Sequence, residues 1–136
     1  MKRGLLRQVR ELANDCCDYC RLPAALDPLP FQLDHIVAQQ HGGETELPNL
    51  AWSCLHCNKH KGPNIAGIDP VTRQLTALFN PRQQRWERNF GWDGALLVGR
   101  TRTGRATIQV LAINDPDFMA LRAELMDEGV FEHFGE

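Results

Sequence analysis

The stretch Phe31-Gln32-Leu33-Asp34-His35-Ile36-Val37 places a carboxylate beside an imidazole in a segment with the residue pattern of a β-strand. The next segment, His41-Gly42-Gly43-Glu44, predicts a turn, and residues 49–53 predict a second short strand. Residues 54–61 have helical character and end before Gly62-Pro63, which is a usual stop signal. The sequence therefore predicts a strand, a turn, a second strand and a helix, in that order.

One Cys-x-x-Cys pair precedes this segment and a second lies in its predicted helix, and together they predict a structural zinc site. Thiolates two residues apart can reach one tetrahedral ion, and in a reducing compartment unpaired cysteines favour a metal over disulfides. A variant in which His56 or His60 replaces one thiolate stays open, and Cys16 is left without a role. The predicted zinc ligands are Cys17, Cys20, Cys54 and Cys57.

The polar residues between the two pairs suit cleavage of a phosphodiester. Such cleavage needs an activated water and a cation that neutralises the charge growing on the phosphate. His35 is a candidate base, because an imidazole titrates near working pH, while Asp34 and Asn58 offer oxygen ligands of the kind that Mg²⁺ or Mn²⁺ prefers. Lys61 lies three residues after Asn58 on the same predicted helix face, which gives it access to a phosphate.

Adjacent residues of a strand point to opposite faces, so Asp34 and His35 can share one site only where the strand ends or twists. A strand end is expected here, because the turn begins within a few residues. A lone Asp-His pair is a common surface feature, and it is the spacing to Asn49 and Asn58 that favours a catalytic interpretation.

This arrangement of Asp34-His35, Asn49 and Asn58 within a two-knuckle cysteine frame resembles the HNH endonuclease family of ββα-metal nucleases. The resemblance covers residues 16–62. It implies that His35 is the general base and that Asp34 and Asn58 hold the catalytic divalent cation. It also implies that Asn49 braces the loop and orients His35 through hydrogen bonding.

Charge is unevenly distributed along the chain. The formal net charge is −2, but residues 1–112 carry +4 and residues 113–136 carry −6. Only local patches can therefore bind phosphate. Candidate nucleic-acid contacts are Lys61, Arg82, Arg85 and Arg88. The three arginines recur at a spacing of three around Trp86. This pattern fits contacts with nucleic acid, but it is equally typical of a solvated helix face with the tryptophan in the core.

The predicted fold class is α+β: a small ββα-metal core on a zinc-binding scaffold, with an N-terminal helix and a C-terminal β-hairpin plus helix. The chain of 136 residues is expected to form a single domain, with the nuclease core at 14–63 and an extension at 64–136. Within the extension, the sequence predicts an irregular segment at residues 64–81, a hairpin formed by residues 94–99 and 106–111, and a helix that starts at Pro116.

These patterns predict a metal-dependent endonuclease whose partner is nucleic acid, with DNA preferred over RNA. The rival hypothesis is a zinc-stabilised nucleic-acid-binding module without catalysis, which would have no need of Asp34, His35 and Asn58. The sequence contains no run of about 18 apolar residues and no apolar signal-peptide core, so we expect a cytoplasmic protein without a membrane partner. Sequence assigns neither an oligomeric state nor a recognition site.

Overall fold

The computed structural model of the chain describes residues 3–131, with the side chain of Arg3 excluded. Three short 3₁₀ helices lie at Ala24–Leu26, Gln39–His41 and Leu47–Asn49. The α-helices are α1 (Arg3–Leu12), α2 (Leu55–Lys61), α3 (Trp86–Asn89), α4 (Arg102–Val110) and α5 (Pro116–Asp127). The strands are β1 (Gln32–His35), β2 (Leu50–Ser53), β3 (Ala66–Ile68), β4 (Leu75–Ala77), β5 (Phe90–Asp93) and β6 (Leu96–Gly99).

The hairpin β1–β2 and the helix α2 form the predicted strand-strand-helix unit. The strands are antiparallel, with Asp34 opposite Ala51 and His35 opposite Leu50. All four residues of β2 are buried, and α1 contacts β2 while α2 contacts β1. The mixed helix and small-sheet fold predicted from the sequence is thus confirmed, with short antiparallel strands throughout the described residues.

Helix α1 covers the hairpin with a narrow apolar face. Val9 and Ala13 are fully packed, but the side chains of Leu6 and Leu12 are 40% and 56% exposed. The helix ends at Leu12, and the next turn contains Asn14 and Asp15 with positive φ angles of 53° and 54°. This reversal directs the chain into the first cysteine pair.

The extension differs from its prediction in two places. Residues 64–81 are not irregular, because Ala66–Ile68 and Leu75–Ala77 pair as a hairpin around a turn that begins at Asp69. The later hairpin is also shifted: β5 and β6 span residues 90–99, so the predicted pairing of 94–99 with 106–111 is wrong. Gly94 and Ala95 form its two-residue loop, and Gly94 has a positive φ of 59°, as is typical of a glycine at the first position of such a loop.

The segment predicted as the second hairpin strand is helix α4. Thr101 caps it, because its side chain accepts a hydrogen bond from the Gly104 backbone amide at 3.0 Å. Its β-branched residues favour a strand by propensity. In the structure, however, Thr107 is buried in the helix and its hydroxyl donates to the Thr103 carbonyl at 2.7 Å. Gly104 is required by packing, since a Cβ there would lie 2.1 Å from the Asn89 carbonyl oxygen. Tertiary contacts therefore override the local strand propensity.

The last helix, α5, begins at Pro116 as predicted. Asp115 caps it by accepting a hydrogen bond from the Asp117 amide, and Phe118 and Arg122 are its buried residues. Among residues 3–131, none of the helices has both the length and the apolar character needed to cross a membrane.

A buried ion pair joins the β3–β4 hairpin to α4. The Arg105 guanidinium donates to both carboxylate oxygens of Asp69 at 2.8 and 2.9 Å, and the Thr72 hydroxyl donates to Asp69 Oδ2 at 2.8 Å. The Asp69 side chain is 0% exposed. Its hydrogen bonds with Arg105 hold the pKa of this carboxyl well below its usual range.

We therefore expect Asp69→Asn to lower the thermal unfolding midpoint at neutral pH by several degrees, because a guanidinium loses its bidentate partner without any change in side-chain size. Scanning calorimetry checks this. Asp93→Asn, at an exposed carboxylate of the same extension, is the matched control and should leave the midpoint unchanged. Equal midpoints for both variants would contradict the stabilising role of the Asp69–Arg105 pair.

Candidate metal centre and catalytic residues

The two Cys-x-x-Cys knuckles meet at one buried point. The sulfur atoms of Cys17, Cys20, Cys54 and Cys57 all lie within 4.8 Å of one another. Four sulfurs bound to zinc at about 2.3 Å are separated by roughly 3.8 Å in a tetrahedron, and Cys20 Sγ lies 3.7 Å from Cys54 Sγ. The cluster therefore fits the predicted structural zinc, in both donor chemistry and spacing.

Neither histidine of the second knuckle is part of this cluster. His56 Nε2 donates to the Ala112 carbonyl at 2.8 Å, and His60 Nδ1 lies 2.8 Å from the His56 carbonyl. Cys16 also lies apart, with its sulfur 3.5 Å from the Asn14 carbonyl. The four-sulfur set is thus favoured over the histidine variant.

Asp34 lies on the α2 side of β1 in a closed environment. Its side chain is 4% exposed, Oδ2 accepts a hydrogen bond from the Tyr19 hydroxyl at 2.5 Å, and Oδ1 contacts Lys61 Nζ at 3.2 Å. Burial raises the pKa of the Asp34 carboxyl, and the Lys61 ammonium opposes that shift. Both carboxylate oxygens of Asp34 therefore already have a hydrogen-bond partner.

Lys61, for which a phosphate contact is expected from the sequence, is buried and hydrogen-bonded within the protein. The residue is 1% exposed, and its ammonium donates to Asp34 Oδ1, to the His35 carbonyl at 3.1 Å and to the Ile36 carbonyl at 3.2 Å. These contacts use all three N–H donors. Its position three residues after Asn58 directs it toward the end of β1, where it fixes the backbone that presents His35.

His35 lies on the opposite face of β1, in an open cleft of about 960 Å³. The cleft is bounded by the first turns of α1 and by residues 45–47. His35 Nε2 forms a hydrogen bond with Thr45 Oγ1 at 2.9 Å, and the Gln39 side-chain amide donates to the same oxygen at 3.3 Å. No partner of His35 Nδ1 occurs within residues 3–131. Nε2 of His35 is thus held by Thr45, while Nδ1 remains available.

Asn49 ties together the loop that follows His35. Its Oδ1 accepts from the Val37 amide at 2.8 Å, and its Nδ2 donates to the carbonyls of Val37 and Glu44, both at 2.9 Å. Gly43 permits this packing, since a Cβ there would lie 1.7 Å from the Val37 carbonyl oxygen. Asn49 therefore supports the loop carrying Thr45, and within the described chain Thr45 is the side chain that holds His35.

The residues expected to bind the catalytic cation do not form an open site. Asn58 Nδ2 donates to Gln32 Oε1 at 2.7 Å, on the face of β1 that also carries Asp34. His35 points away from that face, and Lys61 and Tyr19 occupy both oxygens of Asp34. The donor types suit Mg²⁺ or Mn²⁺, but this arrangement does not fit a bound cation that is open to substrate.

The three arginines of the extension separate into two groups. The side chain of Arg82 is 10% exposed, and its Nη2 donates to Asp18 Oδ1 at 2.7 Å, so it is paired within the protein. Burial raises the pKa of Asp18 to about 6, and Arg82 is the main opposing charge. Arg85 and Arg88 are exposed, and Trp86 is buried with its Nε1 donating to the Tyr19 carbonyl at 2.9 Å.

Sequence reasoning did not identify Thr45 or Tyr19. Tyr19 lies between Cys17 and Cys20 of the predicted zinc site, and this position was an available signal. Thr45 had no such signal, because its contact with His35 depends on the path of an intervening loop.

The comparison with known protein families matches residues 17–64 to a family model described as HNH endonuclease. The matched segment contains both knuckles, the β1–β2 hairpin and α2. No curated protein and no solved structure matches the chain significantly. This segment is therefore similar to the HNH endonuclease model, which agrees with the resemblance carried by Asp34-His35, Asn49 and Asn58.

Zinc at the cysteine cluster leads to a prediction about folding. We expect Cys54→Ser to lose bound zinc and cooperative thermal unfolding together, because binding to a structural site supplies folding free energy. Metal analysis of the purified protein and circular dichroism measure the two effects. Cys16→Ser is the matched control and should keep one zinc per chain. A folded Cys54→Ser protein with the melting curve of the wild type would contradict the structural role of the metal.

Proposed function

We propose that the HNH domain at residues 17–64 makes this protein an endonuclease that hydrolyses phosphodiester bonds of nucleic acid, with DNA as the preferred substrate. The observation that carries the proposal is His35, which lines an open cleft and has one imidazole nitrogen held by Thr45. The unpaired thiols suit the reducing conditions of the cytoplasm, where we propose that it acts.

His35 is the proposed general base. Its Nδ1 takes a proton from a water molecule, the water oxygen bonds to phosphorus, the bond from phosphorus to the 3′ oxygen breaks, and the departing 3′ oxygen takes up a proton from solvent water. The Thr45 hydroxyl can accept a hydrogen bond from the N–H of His35 Nε2, which leaves the lone pair on Nδ1. Asn49 supports this geometry indirectly by bracing the loop.

A divalent cation remains part of the proposal because the family resemblance implies one at Asp34 and Asn58. When bound, such an ion would neutralise charge that develops on the phosphate. Since Lys61 and Tyr19 occupy Asp34 in the described arrangement, we assign no step of the reaction to the ion. Arg85 and Arg88 are the exposed candidates for contact with the nucleic-acid backbone.

The closed state of Asp34 favours a second candidate function, a zinc-stabilised nucleic-acid-binding module without catalysis. In that case the Asp34–Lys61 pair serves only to join β1 to α2, and His35 has no chemical task. The two functions differ in whether the wild-type protein cleaves nucleic acid.

We expect His35→Ala to reduce nicking of supercoiled plasmid by about 100-fold or more, the usual range for loss of a general base, with zinc content and fold unchanged. Purified wild-type and variant proteins are compared with Mg²⁺, with Mn²⁺ and with EDTA, on single-stranded, double-stranded and branched DNA and on RNA.

His41→Ala is the matched control, because His41 is an exposed histidine in the segment that follows β1. This variant should nick at the wild-type rate. If the wild-type protein binds nucleic acid without added metal and cleaves none of these substrates, the nuclease proposal is refuted and the binding module is supported.

The bond between His35 and Thr45 gives a second prediction. Thr45→Val keeps the side-chain shape but removes the hydroxyl, and we expect kcat to fall roughly five- to tenfold, the value of one hydrogen bond of ordinary strength. KM should change little, because Thr45 positions the base and does not contact substrate in this proposal. Thr45→Ser should restore most of the rate. If the valine and serine variants are equally active, Thr45 does not position His35.

A further inference from the structure

Arg122 of helix α5 is a buried cation in an acidic segment. It is the one Lys or Arg in residues 113–136, which contain seven Asp and Glu. Its side chain is nevertheless 0% exposed and lies inside the protein, whereas Asp117, Glu124, Asp127 and Glu128 of the same helix region are exposed. Packing has therefore separated this guanidinium from the nearest carboxylates along the chain.

The hydrogen bonds of Arg122 go to neutral acceptors. Nε and Nη2 donate to the Ala95 carbonyl at 3.1 and 2.7 Å, Nη1 donates to the Ile113 carbonyl at 2.6 Å, and Nη2 also donates to Asn114 Oδ1 at 2.9 Å. Within residues 3–131, Arg122 takes part in no salt bridge. A buried charge without a counter-charge is unfavourable, even when its donors are satisfied.

The Phe118 ring contacts both Arg122 and His56 of the second zinc knuckle. The guanidinium carbon is 5.2 Å from the centroid of Phe118, and Phe118 stacks on His56 with 4.0 Å between centroids and an angle of 20°. His56 lies between Cys54 and Cys57 in the sequence and is anchored to the Ala112 carbonyl. The helix α5 and the loop before it thus pack directly on the knuckle.

Four thiolates around one Zn²⁺ carry a net charge of −2, since each ligand must be deprotonated to bind. Burial lowers the pKa of Arg122, while the negative charges of Cys20, Cys57 and Cys54 raise it. The cysteine cluster is thus a source of negative charge close to Arg122, whose own hydrogen bonds all go to neutral groups.

We propose that Arg122 is the buried counter-cation of the tetrathiolate zinc site, supplied by the C-terminal extension to retain the metal. This role rests on the zinc at Cys17, Cys20, Cys54 and Cys57, and is independent of nuclease activity. It also makes the extension part of the metal centre in electrostatic terms, although each sulfur ligand belongs to residues 17–57.

Arg122→Gln and Arg122→Lys test the proposal. Both variants lose most of the guanidinium hydrogen bonds, but only lysine keeps the positive charge. Zinc release from the purified, zinc-loaded proteins is followed with a coloured chelator after addition of a thiol-alkylating reagent. We expect release to be about tenfold faster for Arg122→Gln, the lower end of the usual effect of residues that support metal ligands, and within a factor of about two of wild type for Arg122→Lys.

Asn114→Ala keeps the proposal testable if Arg122→Gln does not fold, because it removes an acceptor of Arg122 and leaves the charge in place. This variant should melt at a lower temperature than wild type but release zinc at a similar rate. Fast release from Arg122→Lys or Asn114→Ala would show that hydrogen bonding, and not charge, retains the metal, and the proposal would fail. Slow release from a folded Arg122→Gln protein would also overturn it.

The outcomes separate this proposal from the zinc assignment. A wild-type protein that carries no zinc would refute the metal site itself. A zinc-loaded wild type whose Arg122 variants all release metal alike would refute only the role of Arg122.

Discussion

The rest of the structure depends on bringing four cysteine sulfurs from two distant segments to within 4.8 Å of one another. The two pairs are separated by residues 21–53, and closing a loop of this length costs chain entropy before any contact inside it can form. Zinc suits this task, because one ion bonded to four thiolates ties both ends of the loop at once. The loop that is closed in this way contains β1, β2 and the segment that presents His35.

Strand β1 separates two chemical environments. On the α2 side, Asp34, Lys61 and Tyr19 form a buried, fully hydrogen-bonded group. On the α1 side, His35 and Thr45 face the cleft. A buried ion pair contributes little net stability once the loss of hydration is counted, but loss of one partner leaves a buried charge. The Asp34–Lys61 pair therefore acts chiefly to fix how β1 and α2 meet, and Lys61 extends this control to the carbonyls of His35 and Ile36.

Prediction from sequence succeeded where one short segment determines the outcome. The cysteine spacing, the strand-strand-helix order and the Pro116 helix start are local signals, and the structure contains each of them. It failed where distant contacts decide. Thr107 and its β-branched neighbours favour a strand by propensity, yet the Thr101 cap and the packing of Gly104 against Asn89 produce a helix. Likewise, the sequence cannot show that Arg82 meets Asp18, 64 residues away, or that Lys61 turns inward.

The position of α1 has a practical consequence for how the protein is handled. Gly4 and Leu5 in its first turn help to line the His35 cleft, so a fusion partner joined directly before α1 would lie close to the entrance. A bulky or charged tag there could exclude a duplex by steric hindrance, and an inactive tagged preparation would then say nothing about the chemistry of the cleft. Removal of the tag before substrates are compared, with a peptide scar that is short and neutral, follows directly from where this helix lies.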